Sequence, residues 1–390
     1  MANYAVLGLG LMGTAIVHDL LTFDSSCKVY GFDNNSKQRQ NLEEIFESLS
    51  DRLFIKNLDL KISEVSENHP LVKIFKDNNI ITVFGAIDYK FNVFLTNICI
   101  HSGSNFLDLG GNPDIVKDQR KLNKNAQQAN ITVIPDCGLA PGMANVIAAH
   151  GMNQFDTLES CHMRVGGLPQ TPKTILNFQR VFSIRGLTNE YLEDAIVIRN
   201  GEIKTVPSLT ETETLTFPDP WGQLEAFQTS GGTSSLPELY KGKIDELTYK
   251  TIRFPGHGQF FRFLKELGVL SSDSYPKNEN VNPRELIEYY LERYLPYNES
   301  DAVLVSITII GTKAGKREKV QYKLIDLADP STGFSAMART TSFSTSIIGQ
   351  MVTRGIINQK GVVSHESVVP EKEFKDALIK RNIVFTEIYS

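Results

Sequence analysis

Apolar and polar positions follow two different textures along the 390-residue chain. Through the first third, short apolar runs recur at Tyr4 to Leu7, Lys28 to Phe32, Arg52 to Ile55, Ile80 to Phe84, Asn105 to Leu109 and Ile131 to Ile134. Runs of this length bounded by turn residues read as buried strands. The stretches between them are long enough for crossover helices, the first covering Thr14 to Leu21 with Ala15, Ile16, Leu20 and Leu21 on its buried face. Strand and helix in alternation predict an α/β fold, a doubly wound parallel sheet of the Rossmann type.

From about Thr157 the texture changes. Thr157 to Val165, Ala195 to Arg199, Glu202 to Val206, Ala302 to Ile310 and Glu318 to Ile325 read as antiparallel strands. Asn200-Gly201 joins two of them as a hairpin turn, because both residue types tolerate positive φ. Asn282-Pro283-Arg284-Glu285 supplies an N-cap, a proline at the first helical position and a glutamate at N3, opening a helix to about Tyr294. The expectation is a second, α+β domain containing a largely antiparallel sheet. After Gly333 a helical period returns, with Phe343, Ile347, Ile348, Met351 and Val352 on one face and Gly355 to end it. Pro370 opens another helix, and Ile383 to Tyr389 closes the chain as a strand. The tail is expected to pack on the first domain. Residues 1–140 and 334–390 would then form the dinucleotide-binding domain, and residues 141–333 an inserted substrate, catalytic and oligomerisation domain.

Composition agrees with two domains, since 41% apolar residues in a chain of this length exceed the needs of one core. The net charge of -5 arises from interspersed acids and bases, without the basic runs that hold nucleic acid or membrane, so neither partner is expected. Cys27, Cys99, Cys137 and Cys161 are far apart and form no CxxC pair, which argues against a zinc site and a disulfide framework. His150 and His162 have no metal-ligand partner at a useful spacing. With no basic segment before the first apolar run, the reading is a cytoplasmic protein with reduced thiols. A homodimer is expected, because an extended antiparallel sheet needs cover.

Gly8-Leu9-Gly10-Leu11-Met12-Gly13 follows the first strand and opens a helix, and Asp33 ends the second strand 20 residues after Gly13. Each piece has a mechanical reason: Gly8 permits the tight turn, Gly10 clears the backbone for a pyrophosphate, and Gly13 lets helix and strand approach. The helix N-terminus offers unpaired N–H groups to the phosphates. Asp33 suits the adenosine ribose hydroxyls and repels a 2′-phosphate, so NAD is favoured over NADP, although Lys37 and Arg39 stand near enough to soften that preference. Gly85-Ala86-Ile87-Asp88 follows the fourth strand, at the sheet edge where ligands bind, with Asp88 read as a solvated loop acid.

Beyond this domain the chain reads Pro135-Asp136-Cys137-Gly138-Leu139-Ala140-Pro141-Gly142-Met143-Ala144-Asn145, then Arg164-Val165-Gly166-Gly167-Leu168-Pro169, Leu187-Thr188-Asn189-Glu190-Tyr191 and Thr229 to Pro237. Tyr249-Lys250-Thr251-Ile252-Arg253-Phe254-Pro255-Gly256-His257 follows. In this order the segments resemble the saccharopine dehydrogenase-like family over nearly the whole chain. The resemblance implies NAD-dependent oxidation of the ε-amine of L-lysine to an imine. Hydrolysis would release ammonia and 2-aminoadipate 6-semialdehyde, which cyclises to piperideine-6-carboxylate. Members that handle saccharopine tend to carry aspartate where this chain has Ala140 and cysteine where it has Val165, which favours lysine as the substrate. Saccharopine reductase-type or opine-like secondary-amine chemistry stays open as an alternative. So does a non-catalytic nucleotide-binding regulatory protein.

Such chemistry needs a neutral amine nitrogen, hence a base or an environment that lowers an ammonium pKa near ~10.4. It also needs a clamp for the α-carboxylate. Arg253 is the first candidate for the clamp and Arg185, which corresponds to an arginine of the saccharopine reductase, the second. His257 and Glu190 are the candidates for the base. Thr229 and Thr233, in a loop rich in glycine and hydroxyls, are candidates for polar contact with the substrate. Tyr191, Cys137 and Trp221 read as packing residues.

Overall fold

Seven strands pair entirely in parallel because each is followed by a segment that crosses back over the sheet. They are β1 (Asn3–Leu7), β2 (Lys28–Asp33), β3 (Leu53–Asn57), β4 (Thr82–Gly85), β5 (Asn105–Asp108), β6 (Thr132–Ile134) and β15 (Gly361–Val362), numbered in chain order. The spatial order is β15-β6-β5-β4-β1-β2-β3. Winding reverses between β1 and β4, and the carboxyl ends of those strands open the crevice in which sheets of this kind bind ligands. This is a computed structural model, and it describes residues 2–273, 278, 281–297 and 299–390.

These strands belong to a compact unit of Met1–Val146 and Ala338–Val384. Phe32, Val83, Phe94, Ile98 and Phe106 lie in its core. The first helix starts at Leu11, three residues before the apolar period becomes visible, and runs to Phe23. Its buried face includes a charge: Asp19 is fully enclosed and takes Arg381 Nε at 2.5 Å and Nη2 at 2.8 Å. Gln350 Nε2 donates to the same carboxylate at 3.2 Å, and the Arg381 guanidinium lies over the Phe23 ring at 3.9 Å. The ion pair ties helix Leu11–Phe23 to the turn after helix Glu371–Ile379.

The second unit comprises Ile147–Met337 and Phe385–Ser390. Its strands are β7 (Thr157–Pro169), β8 (Ala195–Arg199), β9 (Glu202–Val206), β10 (Glu213–Phe217), β11 (Gly222–Gln228), β12 (Ile244–Arg253), β13 (Asp301–Lys313), β14 (Lys316–Leu327) and β16 (Thr386–Tyr389). The order β10-β11-β12-β7-β13-β14-β16 carries the β8–β9 hairpin off β12. Every pair is antiparallel except β7 with β12. The fold class is thus the expected one, a parallel Rossmann-type sheet with a second, largely antiparallel α+β unit. Asn200 (φ 51°) and Gly201 (φ 76°) form the β8–β9 turn in the positive-φ region that Asn-Gly was expected to supply.

Two features differ from the sequence pattern. Strands β10 to β12 and the helices Ile184–Leu192 and His257–Glu266 lie between the elements that the sequence pattern named. The closing strand also does not join the first sheet. β16 pairs with β14, its residues Thr386 to Tyr389 facing Lys323 to Val320. There β16 covers the outer edge of β14, whose N–H and C=O groups would otherwise be left unpaired. Among the described residues, no helix is long and apolar enough to cross a membrane.

Candidate functional site

The glycine turn has the shape its sequence demands. Gly8 sits at φ 89°, and a Cβ there would lie 2.4 Å from Ala86 O. A Cβ on Gly13 would lie 1.7 Å from Gly8 O, so the turn closes on itself only because both residues lack side chains. Gly85 and Ala86 are brought against this turn, Ala86 N donating to Leu7 O at 2.8 Å. Around Gly10, by contrast, a Cβ would meet nothing within 4 Å. The helix beginning at Leu11 has no side-chain cap and no acidic residue in its first turn, which leaves its first N–H groups without a capping side chain. That arrangement fits a pyrophosphate.

Asp33 is held to the turn: Leu9 N donates to Oδ2 at 2.7 Å and Asn35 N to Oδ1 at 2.8 Å. Each oxygen keeps a lone pair for a ribose hydroxyl. Arg39 is anchored beside it by Asp33 O and Asn57 Oδ1, both at 2.9 Å, whereas Lys37 is exposed. Replacement Gly10→Ala should leave the melting temperature unchanged and weaken dinucleotide binding by about tenfold or more, since the added methyl meets only what enters the open space. Titration of NADH fluorescence checks it. Asp88 accepts Lys90 N at 3.0 Å and pairs with the Lys90 ammonium at 3.2 Å, the solvated acid that was expected.

The second unit gathers its own polar cluster within an aromatic core. Helix Ile184–Leu192 is capped by Ser183, whose Oγ accepts Gly186 N at 3.1 Å, and presents Glu190 and Tyr191 toward the end of β12. Arg253, the last residue of β12, is 2% exposed. Its Nε donates to Tyr191 Oη and its Nη1 to Ile252 O, both at 2.9 Å, and its guanidinium lies 5.0 Å over the Phe178 ring. Both N–H groups of Nη2 and one of Nη1 are left without a hydrogen-bond partner among the described residues, an edge suited to a bidentate carboxylate.

Glu190 is half-buried beside this arginine and makes no side-chain hydrogen bond among the described residues. Burial pushes its carboxyl up to about 7, against the pull of Arg253 and with the help of the Glu193 carboxylate. A carboxyl at that value exchanges protons near neutral pH. The backbone below is fixed, because Ser230 N donates to Glu190 O at 3.0 Å.

His257 stands elsewhere in the chemistry than expected. It is 2% exposed, with Nδ1 2.9 Å from Leu176 O and Nε2 2.9 Å from Tyr191 Oη, so neither ring nitrogen is open to a substrate. Burial and then the Arg253 charge push its pKa down to about 3. Its loop is fastened by Glu225 on β11, whose carboxylate accepts Gly256 N at 3.0 Å and Gly258 N at 2.7 Å at the start of helix His257–Glu266.

The remaining candidates are committed to the scaffold. Arg185 is half-exposed and pairs with Glu288 at 3.1 Å. Glu288 also holds Arg284 at 2.7 Å, and Arg284 Nη2 reaches Thr188 Oγ1 at 2.7 Å, so this buried arginine is neutralised by its own helix. Thr229 Oγ1 lies 2.7 Å from Thr251 Oγ1, and Thr233 Oγ1 donates to Ile196 O at 3.1 Å. The threonine-glycine loop instead serves Tyr249, whose ring a Cβ on Gly232 would meet at 2.3 Å. Cys137 is buried, which pushes its thiol well up and leaves it inert. Trp221 packs with Phe217, Leu224 and Ile252. His162, on the sheet beside Glu246, has its pKa pushed down to about 4 by burial. The sequence reading took Tyr191 for a packing residue, whereas its hydroxyl joins Arg253 and His257, and it did not reach Phe178 or Glu225; only Tyr191 carried a signal, its place next to Glu190. Among the described residues, no group of three or more His, Cys, Asp or Glu gathers as a metal site.

Residues 138–383 match the family described as Saccharopine dehydrogenase C-terminal domain. The chain is 23% identical over 289 residues to "Alpha-aminoadipic semialdehyde synthase, mitochondrial" of Bos taurus, covering 71% of this chain and 30% of that protein. It thus spans under a third of the length of this relative and its rodent counterparts. It is 22% identical over 369 residues to "Carboxynorspermidine synthase" of Vibrio cholerae, covering 86% of this chain and 85% of that protein. Apo saccharopine dehydrogenase (L-Glu forming) from Saccharomyces cerevisiae superposes with a TM-score of 0.80 at 19% identity, covering 100% of both chains.

Proposed function

The chain belongs to the saccharopine dehydrogenase C-terminal domain family, and from that premise we propose that it is an NAD-dependent amine dehydrogenase acting as an L-lysine 6-dehydrogenase. The observation that carries the reading is the pairing of Glu190, its carboxyl near neutrality, with Arg253, whose guanidinium keeps a free edge. An amine dehydrogenase needs both. The carboxylate takes a proton from the substrate ammonium, because hydride departs only from a carbon whose nitrogen is neutral. The arginine holds the α-carboxylate in two parallel hydrogen bonds.

The cofactor half of the proposal rests on the Gly8 to Gly13 turn. Leu11 and Met12 N–H would hold the pyrophosphate and Asp33 the adenosine ribose, with NAD preferred because a 2′-phosphate would meet the Asp33 carboxylate. Bound there, the dinucleotide supplies the hydride acceptor. The resulting imine adds water and releases ammonia.

The test is NADH formation from L-lysine at pH 8 to 10, followed at 340 nm alongside saccharopine and NADP. Turnover of lysine with NAD supports the reading. Turnover of saccharopine alone moves the assignment to secondary-amine chemistry. That second reading is favoured by one observation, the near full-length match to a protein named carboxynorspermidine synthase. Tight NAD binding without oxidation of any amine would leave a regulatory nucleotide-binding protein.

A further inference from the structure

Hydrogen bonding around Arg253 runs in a single direction. Leu176 O can only accept, so His257 Nδ1 carries the ring proton and Nε2 is an acceptor. Tyr191 therefore donates its hydroxyl proton to Nε2 at 2.9 Å, and its oxygen is free to accept Arg253 Nε–H at 2.9 Å. Each of the three bonds sets the polarity of the next.

The surroundings favour this one arrangement. His257 is boxed by Phe178 (ring centroids 5.3 Å apart), Phe261 (4.9 Å) and Phe227, which stacks on it at an interplanar angle of 10°. An imidazolium there would be desolvated and would face the Arg253 cation, so the ring stays neutral. Burial likewise keeps the Tyr191 hydroxyl protonated, even with Arg253 beside it. Were Nε2 protonated, Tyr191 Oη would face two donors and its own O–H would lose the acceptor it has at Nε2.

We propose that His257 is a positioning residue that acts through Tyr191 to orient the Arg253 guanidinium, leaving its outer N–H edge for a substrate carboxylate. The carboxylate part rests on the lysine reading above; the relay itself does not. A guanidinium held only by its own chain neighbour Ile252 would shift through the side-chain torsions up to Cδ–Nε, and the clamp would lose its aim. The Phe178 ring beneath fixes the plane but not the rotation within it.

The experiment uses the full chain labelled with 15N-histidine and 15N-arginine. A neutral His257 with Nδ1 protonated and Nε2 unprotonated from pH 8 to pH 5 is expected. The Arg253 Nε–H resonance should shift in Tyr191→Phe and in His257→Leu, and return toward its original position in His257→Gln, which restores an acceptor. A protonated Nε2, or an Arg253 signal indifferent to both Tyr191→Phe and His257→Leu, overturns the relay. Kinetics with NAD then read its consequence: Tyr191→Phe and His257→Leu should lower kcat/KM for L-lysine about 10- to 100-fold through KM, and for 1,5-diaminopentane, which lacks the α-carboxylate, less than about threefold. Equal losses for both amines overturn positioning in favour of a general structural role. If the nitrogen signals behave as expected but neither amine is oxidised by the unaltered chain, the relay stands and the lysine reading falls.

Discussion

A Glu190→Gln chain should lose about a thousandfold of kcat/KM for L-lysine while becoming more stable at pH 8. Both effects come from the same burial. The carboxyl is raised to about 7 from an ordinary value of 4.5. Below pH 4.5 it is protonated in folded and unfolded chains alike, and the substitution changes little. Between 4.5 and 7 the unfolded chain loses its proton more readily than the folded one, so the native state becomes progressively less stable relative to the glutamine variant. Above about 7 the full cost is present. The shift sets an upper limit of about 3 kcal/mol, reduced by the solvent that reaches this half-buried side chain to about 1–2 kcal/mol. Urea unfolding at pH 5 and pH 8 reads the difference: the glutamine advantage should appear mainly at pH 8. In the unaltered chain, log kcat/KM should climb with unit slope up to about pH 7, and Glu190→Gln should abolish that limb. An unchanged pH profile in the variant would remove Glu190 from the proton transfer.

Stability given up at a residue proposed to move the proton also bears on what the sequence could reveal. The Gly8 to Gly13 turn was legible because its constraints are local: a strand, two glycines without room for a Cβ, and a helix start lie within a dozen residues. The Asn200-Gly201 hairpin and the Asn282 cap, which accepts Glu285 N at 3.2 Å, were legible for the same reason. β12 was not. Its alternation is hidden because both faces carry polar residues, Glu246, Thr248 and Lys250 on one and Thr251 and Arg253 on the other. Arg253 is buried only because Tyr191, 62 positions earlier, and Phe178 close over it. For the same reason His257 looked like a base from its residue type and turned out enclosed: the aromatic box comes from four separate segments. A period of 3.6 or 2 reports which side of an element is apolar. It says nothing about polar groups that are buried together.

The Asp19–Arg381 pair is the extreme case, its partners 362 positions apart, and breaking it should have the largest effect on stability of any single change in the first unit. Asp19 is fully buried, Arg381 is 6% exposed, and two N–H···O bonds join them. Removing the arginine alone strands a carboxylate whose remaining support is Gln350 at 3.2 Å. Loss of one partner of such a pair costs about 3–5 kcal/mol, because the other is left charged and unpaired. For a unit of this size the expected fall in melting temperature for Arg381→Leu is about 6–20 °C. Asp19→Leu should fall similarly, leaving the guanidinium over Phe23 without its counter-ion. The double variant Asp19→Leu/Arg381→Leu, by contrast, should recover most of the loss, since it removes both desolvated charges at once. A double variant as unstable as the sum of the two singles would show that the pair's worth lies in packing against Phe23 rather than in the meeting of opposite charges.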